Sequence, residues 1–453
     1  MAFKKTKELK NVPRIFISSL GCPKNLADAE VMAGELAGAG WEVVSDEAEA
    51  DAALVNTCAF LGSAVKESEA EIRRLLALKK LGRLKKVIIA GCLTERMKGA
   101  LLDKFPEADA AIGVGALKDA VRALEEGGLR LGDTMRHGVP FLEAPPLKLR
   151  LTAPHSAYLK VADGCDNRCA YCLIPSLRGP FRSKPLEAAV EEARLLAASG
   201  AKEISLIAQD TTLYGADLYG KPALGRLLRK ISAIKGLRWI RVMYAYPERV
   251  TPELLRAMAG AENICRYLDL PLQHASDAVL KAMNRRSTEK SLRRTLSSIR
   301  RLLPGAAIRT NFIVGFPGET DKDFARLLRF VRDERLDNVG VFKYSREPGT
   351  SAAGFPGQVP DKVKTARMNE LLAAQAAGVD SINAGLVGKK LEVLMDSPRF
   401  GRTYRDAPGI DGTVEVSAPG DTMQQGVPKP RPGDFVKVRI TSARGYSRKG
   451  ILL

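Results

Sequence analysis

Histidine is scarce in this chain: His137, His155 and His274 are the three among 453 residues. None stands at a spacing that points to proton transfer. No Ser, His and Asp arrangement is present as a motif, which argues against triad hydrolases, and no Walker-type phosphate loop appears. Long apolar runs are missing as well. No stretch approaches the roughly 18 consecutive apolar residues of a membrane span. The opening segment, MAFKKTKELKNVPRIFISSL, has one apolar run, IFISSL, too short for a signal peptide core. The expectation is a cytosolic protein with no membrane partner. Cysteine is also rare, seven residues in all. In a reducing compartment such residues serve as metal ligands, catalytic groups or core residues more often than as disulfides, and the odd count agrees. Acidic residues are outnumbered, 52 against 71 Lys and Arg, for a net charge of +19. That balance points to a polyanionic partner such as nucleic acid or a ribosomal particle. Residues 281–301 hold eight Lys or Arg against one Glu; they either meet RNA or a ribosomal surface, or simply face water.

What is present has the rhythm of an α/β protein of two or three domains. Residues 1–140 alternate short apolar runs with amphipathic stretches: RIFISSL before NLADAEVMAGELAGAG, AALVNT before AVKESEAEIRRLLALKKL, and KVIIAG before TERMKGALLDKF. This alternation predicts an amino-terminal parallel sheet wound with helices. A Pro-rich joint, 141–155, reads as a linker. Over 156–384 six candidate strands, YLKVAD, EISLIAQD, LRWIRVMYAY, RYLDLPL, AIRTNFIVGF and NVGVFKYS, are separated by helical stretches. They predict a partial (β/α) barrel with its functional residues at the carboxyl ends of the strands. Over 385–453 the helices stop. KKLEVLMD, RTYRDA, GTVEVSA and DFVKVRITSAR predict a small antiparallel β-barrel of a kind that often binds RNA.

The chemistry lies in six of the seven cysteines. Cys165, Cys169 and Cys172 follow the strand YLKVAD with gaps of three and two residues. A structural zinc site needs four closed ligands; His155 lies on the far side of that strand, and His274 is the residue left to complete such a set. An iron–sulfur cluster needs no fourth: three thiolates leave one iron open to chelate a small molecule. Cys22, Cys58 and Cys92 follow three successive strands of the amino-terminal region at separations of 36 and 34 residues. Parallel strands lie about 4.8 Å apart and share direction, so their carboxyl-terminal loops converge on one edge and gather three thiols there. The bland alternative is three unrelated core residues. Cys265, in NICRYLDLPL, has no such company and reads as a core residue.

The spacing Cys165-x-x-x-Cys169-x-x-Cys172, with Tyr171 before the last cysteine, resembles the signature of the radical S-adenosylmethionine superfamily. Two triads followed by a small barrel resemble the methylthiotransferase family within it, whose domains would be the amino-terminal one, the radical core and the barrel known as TRAM. The resemblance implies a 4Fe-4S cluster on Cys165, Cys169 and Cys172 whose open iron binds S-adenosylmethionine. An electron from a reducing donor would cleave that molecule and yield a deoxyadenosyl radical. It also implies an auxiliary 4Fe-4S cluster on Cys22, Cys58 and Cys92, carrying sulfide or polysulfide to be methylated by a second S-adenosylmethionine and captured by the substrate radical. Both open sites would have to face one inter-domain cleft. Gln209 lies where the superfamily meets the methionine amino group, and Gly315 resembles the glycine of the fifth strand that lets backbone approach the adenine. The blander reading of Gly315 is a tight turn before a helix capped by Thr320 or Asp321. Tyr171, Gln209 and Gly315 are therefore candidate S-adenosylmethionine contacts. His274 could line the cavity or serve packing, and no side chain is assigned as acid or base.

Two branches of the family are open to this chain. SLGCPKNLADAE around Cys22 lacks the Gln and Met that follow the cysteine in the branch acting on transfer RNA adenosine. With DLPLQHASDAVLKAMNRR, it is similar to the branch that modifies the β-carbon of an aspartate in small-subunit ribosomal protein S twelve. That protein, free or on the ribosomal subunit, would be the partner, with ribosomal RNA contacted through TRAM. The alternatives are transfer RNA as substrate, or a non-enzymatic RNA-binding protein whose cysteines hold zinc. Arg405 departs from the branch pattern, which frequently has alanine there, and is expected on a surface strand.

Overall fold

The computed structural model describes residues 12–128, 148–418 and 430–453. These fall into two compact units. One comprises the described residues to 128 with 148–151 and Ser176–Arg178; the other holds the rest. Of the expected linker, 141–147 lies outside the described residues, as do His137 and the chain's first eleven residues.

In the first unit five strands, β1 (Arg14–Ser19), β2 (Glu42–Val44), β3 (Ala52–Thr57), β4 (Lys86–Gly91) and β5 (Ala110–Ile112), pair in the order β2-β1-β3-β4-β5. Every pairing is parallel. All six residues of β3 are buried, because a strand in the middle of a parallel sheet is covered on both faces; its polar pair, Asn56 and Thr57, donates to the Asn25 and Ala90 carbonyls. The short strands β2 and β5, three residues each, were not anticipated; EVV and AAI are too brief to show a period. The order reverses between β1 and β3, since the chain leaves β1 toward β2 on one side and comes back to β3 on the other. At such a switch point the loops beyond the carboxyl ends part and leave a crevice.

The second unit opens with β6 (Ser156–Lys160), a ribbon of β7 (Ala162–Asp163) with β8 (Arg182–Ser183), and then β9 (Glu203–Ile207), β10 (Trp239–Val242), β11 (Ile264–Asp269), β12 (Ala307–Val314) and β13 (Asn338–Lys343). Their parallel sheet runs β13-β12-β11-β10-β9-β6, the partial barrel expected, with all six predicted strands present. Helices cover its outside. Leu224–Ser232 buries Leu224, Leu227, Leu228 and Ile231, the i, i+3, i+4, i+7 stripe of an amphipathic helix. Glu289–Leu302 does the same with Leu292, Leu296 and Ile299. Cys265 is a core residue, 3% exposed. Among the described residues no helix is long and apolar enough to cross a membrane.

The chain ends in a closed barrel of β14 (Lys390–Met395), β15 (Phe400–Arg402), β16 (Val414–Ser417), β18 (Ser447–Leu452) and β17 (Phe435–Arg444), in that order. All its pairings are antiparallel except that of β16 with β18. The turn 403–411 between β15 and β16 reaches the amino-terminal ends of the parallel sheet. Tyr267 donates to Asp411 at 2.6 Å, Arg309 pairs with Asp411 at 3.3 Å, and Arg241 donates to the Tyr404 carbonyl at 2.7 Å. Arg402 pairs with Glu203 at 2.8 Å and with Asp396 at 2.7 Å, while Arg241 holds the other oxygen of Glu203 at 3.0 Å.

Arg405 requires a correction. It stands in the turn after β15, not on a surface strand, and its guanidinium is largely covered and pairs with Asp337, the residue before β13. RTYRDA therefore supplies one strand residue and a buried ionic turn. The basic stretch 281–301 also divides. Arg285 is buried, Arg293 pairs with Glu289, Asp333 and Glu334, and Arg300 pairs with Glu334; Lys281, Arg286, Lys290, Arg294 and Arg301 face water.

Candidate functional site

Each of the three amino-terminal cysteines stands just beyond a strand: Cys22 after β1, Cys58 after β3 and Cys92 after β4. β1, β3 and β4 are adjacent, so the three thiols share one edge, two of them flanking the switch point. Cys22 is the N-cap of the helix Pro23–Gly38, whose proline occupies the first turn, where a missing N–H costs nothing. Gly21 adopts φ +88°, and a side chain there would lie 2.6 Å from Cys58 Cβ and 2.7 Å from its Sγ. Only glycine lets the loop after β1 close over Cys58.

Asn25, 1% exposed, ties the three loops together. Its Nδ2 donates to the Leu20 carbonyl at 3.0 Å and the Thr57 carbonyl at 2.8 Å, and its backbone carbonyl accepts from Asn56 at 2.6 Å. Its Oδ1 accepts from Arg178 at 2.5 Å and lies 3.7 Å from Cys92 Sγ. Arg178, 3% exposed, also pairs with Asp28 at 3.1 Å.

The electrostatics differ among these thiols. Burial opposes ionisation of Cys22, but the charges of Lys24 and Arg178 and the amides of Asn25 and Lys24 outweigh it, and the thiol sits below its ordinary range, as helix N-termini and nearby cations commonly arrange. Burial pushes Cys58 up against the Phe60 amide, and pushes Cys92 up to about 12 despite Arg178. Sulfhydryls of this kind give up their protons to a soft metal.

In the second unit Cys165 follows β7, and Cys169 and Cys172 sit in the loop beyond it, a turn closed by Cys172 N donating to the Cys169 carbonyl at 3.1 Å. The loop is pinned from two sides: Ala170 N donates to the Met283 carbonyl at 3.0 Å, and its carbonyl accepts from Ala352 N at 2.8 Å. Burial pushes Cys165 up to about 11 and Cys172 up to about 12. Arg285 stacks 4.0 Å over the Tyr246 ring, donates to the Pro271 carbonyl at 3.0 Å and comes 4.0 Å from Cys169 Sγ. Tyr171, half-buried, packs against the small apolar cluster that includes Met283, Phe316 and Tyr344, and burial pushes its phenol up.

Gln209, two residues beyond β9, donates through Nε2 to Asp163 at 2.9 Å, while its Oε1 is buried with no partner among the described residues. An orphaned buried acceptor at the carboxyl end of the sheet suits an ammonium donor. Gly315, one residue beyond β12, donates to Glu319 at 2.6 Å and lies under the side-chain stem of Lys364. Thr320 caps the helix Asp321–Glu334 with a capping box. His274 Nδ1 accepts from Ser276 N at 2.9 Å, and burial holds the imidazole neutral, its pKa lowered to about 3, so its 3.7 Å approach to Glu319 is no ion pair.

Among the described residues no three His, Cys, Asp or Glu side chains form a single-ion site. A four-iron cluster places each thiolate on a different iron, so its ligands stand farther apart than those of one ion. A soft three-thiol donor set, partly or fully covered, at the carboxyl end of a parallel sheet fits such a cluster better than zinc. Asn25, Arg178 and Arg285 escaped sequence reading. The signal for Asn25 and Arg285 was only their place in SLGCPKNLADAE and DLPLQHASDAVLKAMNRR, and Arg178 carried none beyond standing six residues after Cys172.

Comparison with known proteins agrees with this layout. The model of the Radical SAM superfamily matches residues 159–331, that of the TRAM domain residues 387–451, and that of Uncharacterized protein family UPF0004 residues 14–113. The fold resembles that of the radical S-adenosylmethionine methyltransferase TsrM from Kitasatospora setae, solved with cobalamin and a 4Fe-4S cluster, at TM-score 0.53 and 17% identity over 75% of this chain and 77% of that one. Ribosomal protein uS12 methylthiotransferase RimO of Elusimicrobium minutum is 51% identical, over 97% of this chain and all of the relative. The RimO of Geobacter sulfurreducens is 43% identical over 97% and 98%. Fold and thiol loops thus define a radical S-adenosylmethionine protein with a TRAM barrel. The chain belongs to the RimO family of ribosomal protein uS12 methylthiotransferases.

Proposed function

We propose that this chain methylthiolates the β-carbon of an aspartate in ribosomal protein uS12, with Cys165, Cys169 and Cys172 holding the radical cluster and Cys22, Cys58 and Cys92 a second one. The observation that carries the second site is the placement of three cysteines after three adjacent parallel strands, two of them at the switch point. A cluster on Cys165, Cys169 and Cys172 would supply the electron, received from a reducing donor, for cleavage of S-adenosylmethionine, and one on Cys22, Cys58 and Cys92 would supply the sulfur to be transferred. The chain's own residues do the positioning. Gln209 offers its buried Oε1 to the amino group of S-adenosylmethionine, Tyr171 and the backbone at Gly315 flank the nucleoside, and the Ala170 hydrogen bonds hold the cysteine loop rigid. Proton transfer is not asked of a side chain; His274, neutral and buried, supports the loop before Ser276. The exposed Lys290, Arg294 and Arg301, with the terminal barrel, meet ribosomal RNA, and the ribosomal substrate places the reaction in the cytoplasm.

The test is mass spectrometry of uS12 from a strain lacking its own enzyme, with and without this gene. The expected result is an aspartate carrying an added methylthio group. Unmodified uS12 together with newly methylthiolated adenosine in transfer RNA would transfer the reading to the other branch. A colourless, zinc-loaded protein that fails to cleave S-adenosylmethionine after anaerobic reconstitution would end it.

A further inference from the structure

Arg178 is a buried cation with more than a structural partner. It follows Cys172 by six residues in sequence, yet it belongs to the first unit. One arm pairs with Asp28, and the other donates to the same Asn25 Oδ1 that lies against Cys92 Sγ. A buried pair kept for stability alone is poorly rewarded, because desolvation cancels much of the attraction. Arg178 and Cys92 Sγ meet on one atom, Asn25 Oδ1, at 2.5 and 3.7 Å, and the same Asn25 side chain ties the loops that carry Cys22 and Cys58, so the guanidinium stands beside the thiol cluster with Asp28 on its other side. Three thiolates and an iron–sulfur core leave a net negative site, and low-dielectric surroundings make one guanidinium a strong counter-charge.

We propose that Arg178, aimed by Asp28 and Asn25, is a positioning residue that sets the reduction potential of the cluster held by Cys22, Cys58 and Cys92. The inference rests on the second cluster of the proposed function. Adding an electron adds negative charge, so a fixed cation beside the site stabilises the reduced form and an anion disfavours it. Removing the cation must lower the potential, and removing the anion must raise it.

The experiment uses the full chain carrying Cys165→Ala, Cys169→Ala and Cys172→Ala, reconstituted anaerobically so that one cluster remains, and follows an electron paramagnetic resonance redox titration. Arg178→Gln is expected to lower the midpoint, so that the reduced-to-oxidised ratio at fixed potential falls roughly tenfold or more. Arg178→Lys is expected to restore most of it, and the near-isosteric Asp28→Asn to move the midpoint the opposite way. Iron content and circular dichroism report whether each variant folds and loads. Loss of folding would move both substitutions alike, so shifts of the same sign, or no shift in variants that load iron, overturn the inference. A parent chain that takes up no iron overturns the second cluster, and the inference with it.

Discussion

At the scale of single residues, the two triads make different demands. Cys169→Ala is expected to abolish deoxyadenosine formation from S-adenosylmethionine, because the radical site loses a ligand. Cys58→Ala is expected to retain some uncoupled formation while eliminating methylthio transfer. Chromatographic assay of deoxyadenosine beside mass spectrometry of uS12 separates the two, and full transfer by either variant would contradict the assignment. Glu203 sets a second test. Fully buried, it would have a raised pKa but for Arg402 and Arg241, which hold it below the ordinary carboxylate range. Its stabilising contribution is therefore complete above that ordinary range and lost as pH falls through its lower folded value. Arg402→Met leaves Glu203 and Asp396 with one cation fewer, and breaking a buried pair from one side costs about 3–5 kcal/mol. Urea denaturation at neutral pH is expected to show that loss, with the variant less stable than the parent chain.

Elements explain what sequence could and could not disclose. The β-α alternation was legible because each buried strand is a run of apolar residues bounded by turns, and the cysteines were legible because parallel topology sends every such turn to one edge. Nothing comparable announced the tie between Arg402, Glu203 and Arg241: charged residues are surface residues by default, and their partners lie far apart in sequence. Arg405 misled for that reason. The helix Glu289–Leu302 shows the same limit from another side. Its charge run reads as one basic face, yet the carboxylates of Glu334 and Asp333, on the helix Asp321–Glu334, engage Arg293 and Arg300. The cations this helix leaves exposed for contact with RNA are Lys290, Arg294 and Arg301. Replacing these three by Glu is expected to leave thermal unfolding within a few degrees of the parent and to weaken binding to small ribosomal subunits, most visibly at low salt. Arg293→Glu is expected to lower the unfolding temperature instead, since it places a fourth carboxylate among Glu289, Asp333 and Glu334.

For the molecule as a whole, the terminal barrel is built into the second unit. Its turn 403–411 supplies Asp411 to Tyr267 and Arg309, and the Tyr404 carbonyl to Arg241, while Trp239 meets Phe435 edge to face at 4.9 Å between ring centroids. A chain cut before residue 385 would keep Glu203 and Arg241 in the parallel sheet but lose Arg402, Asp411 and the apolar cover of Phe435. Glu203 and Arg241 would still hold each other, but Glu203 would lose Arg402, Arg241 the Tyr404 carbonyl and Arg309 its Asp411, a cost of several kcal/mol against a total stability of about 5–15 kcal/mol. Truncation is therefore expected to yield an aggregating or partly unfolded radical domain that also fails to cleave free S-adenosylmethionine. That outcome would not weigh against RNA binding by the barrel. Substitutions on its exposed face, such as Arg399→Glu with Arg444→Glu, leave the Arg402 and Asp411 ties intact. They are expected to weaken subunit binding in a sedimentation assay while preserving cleavage of free S-adenosylmethionine. A truncated chain that stays monomeric, folds cooperatively and cleaves at the parent rate would show that the ionic turn contributes little to the sheet it covers.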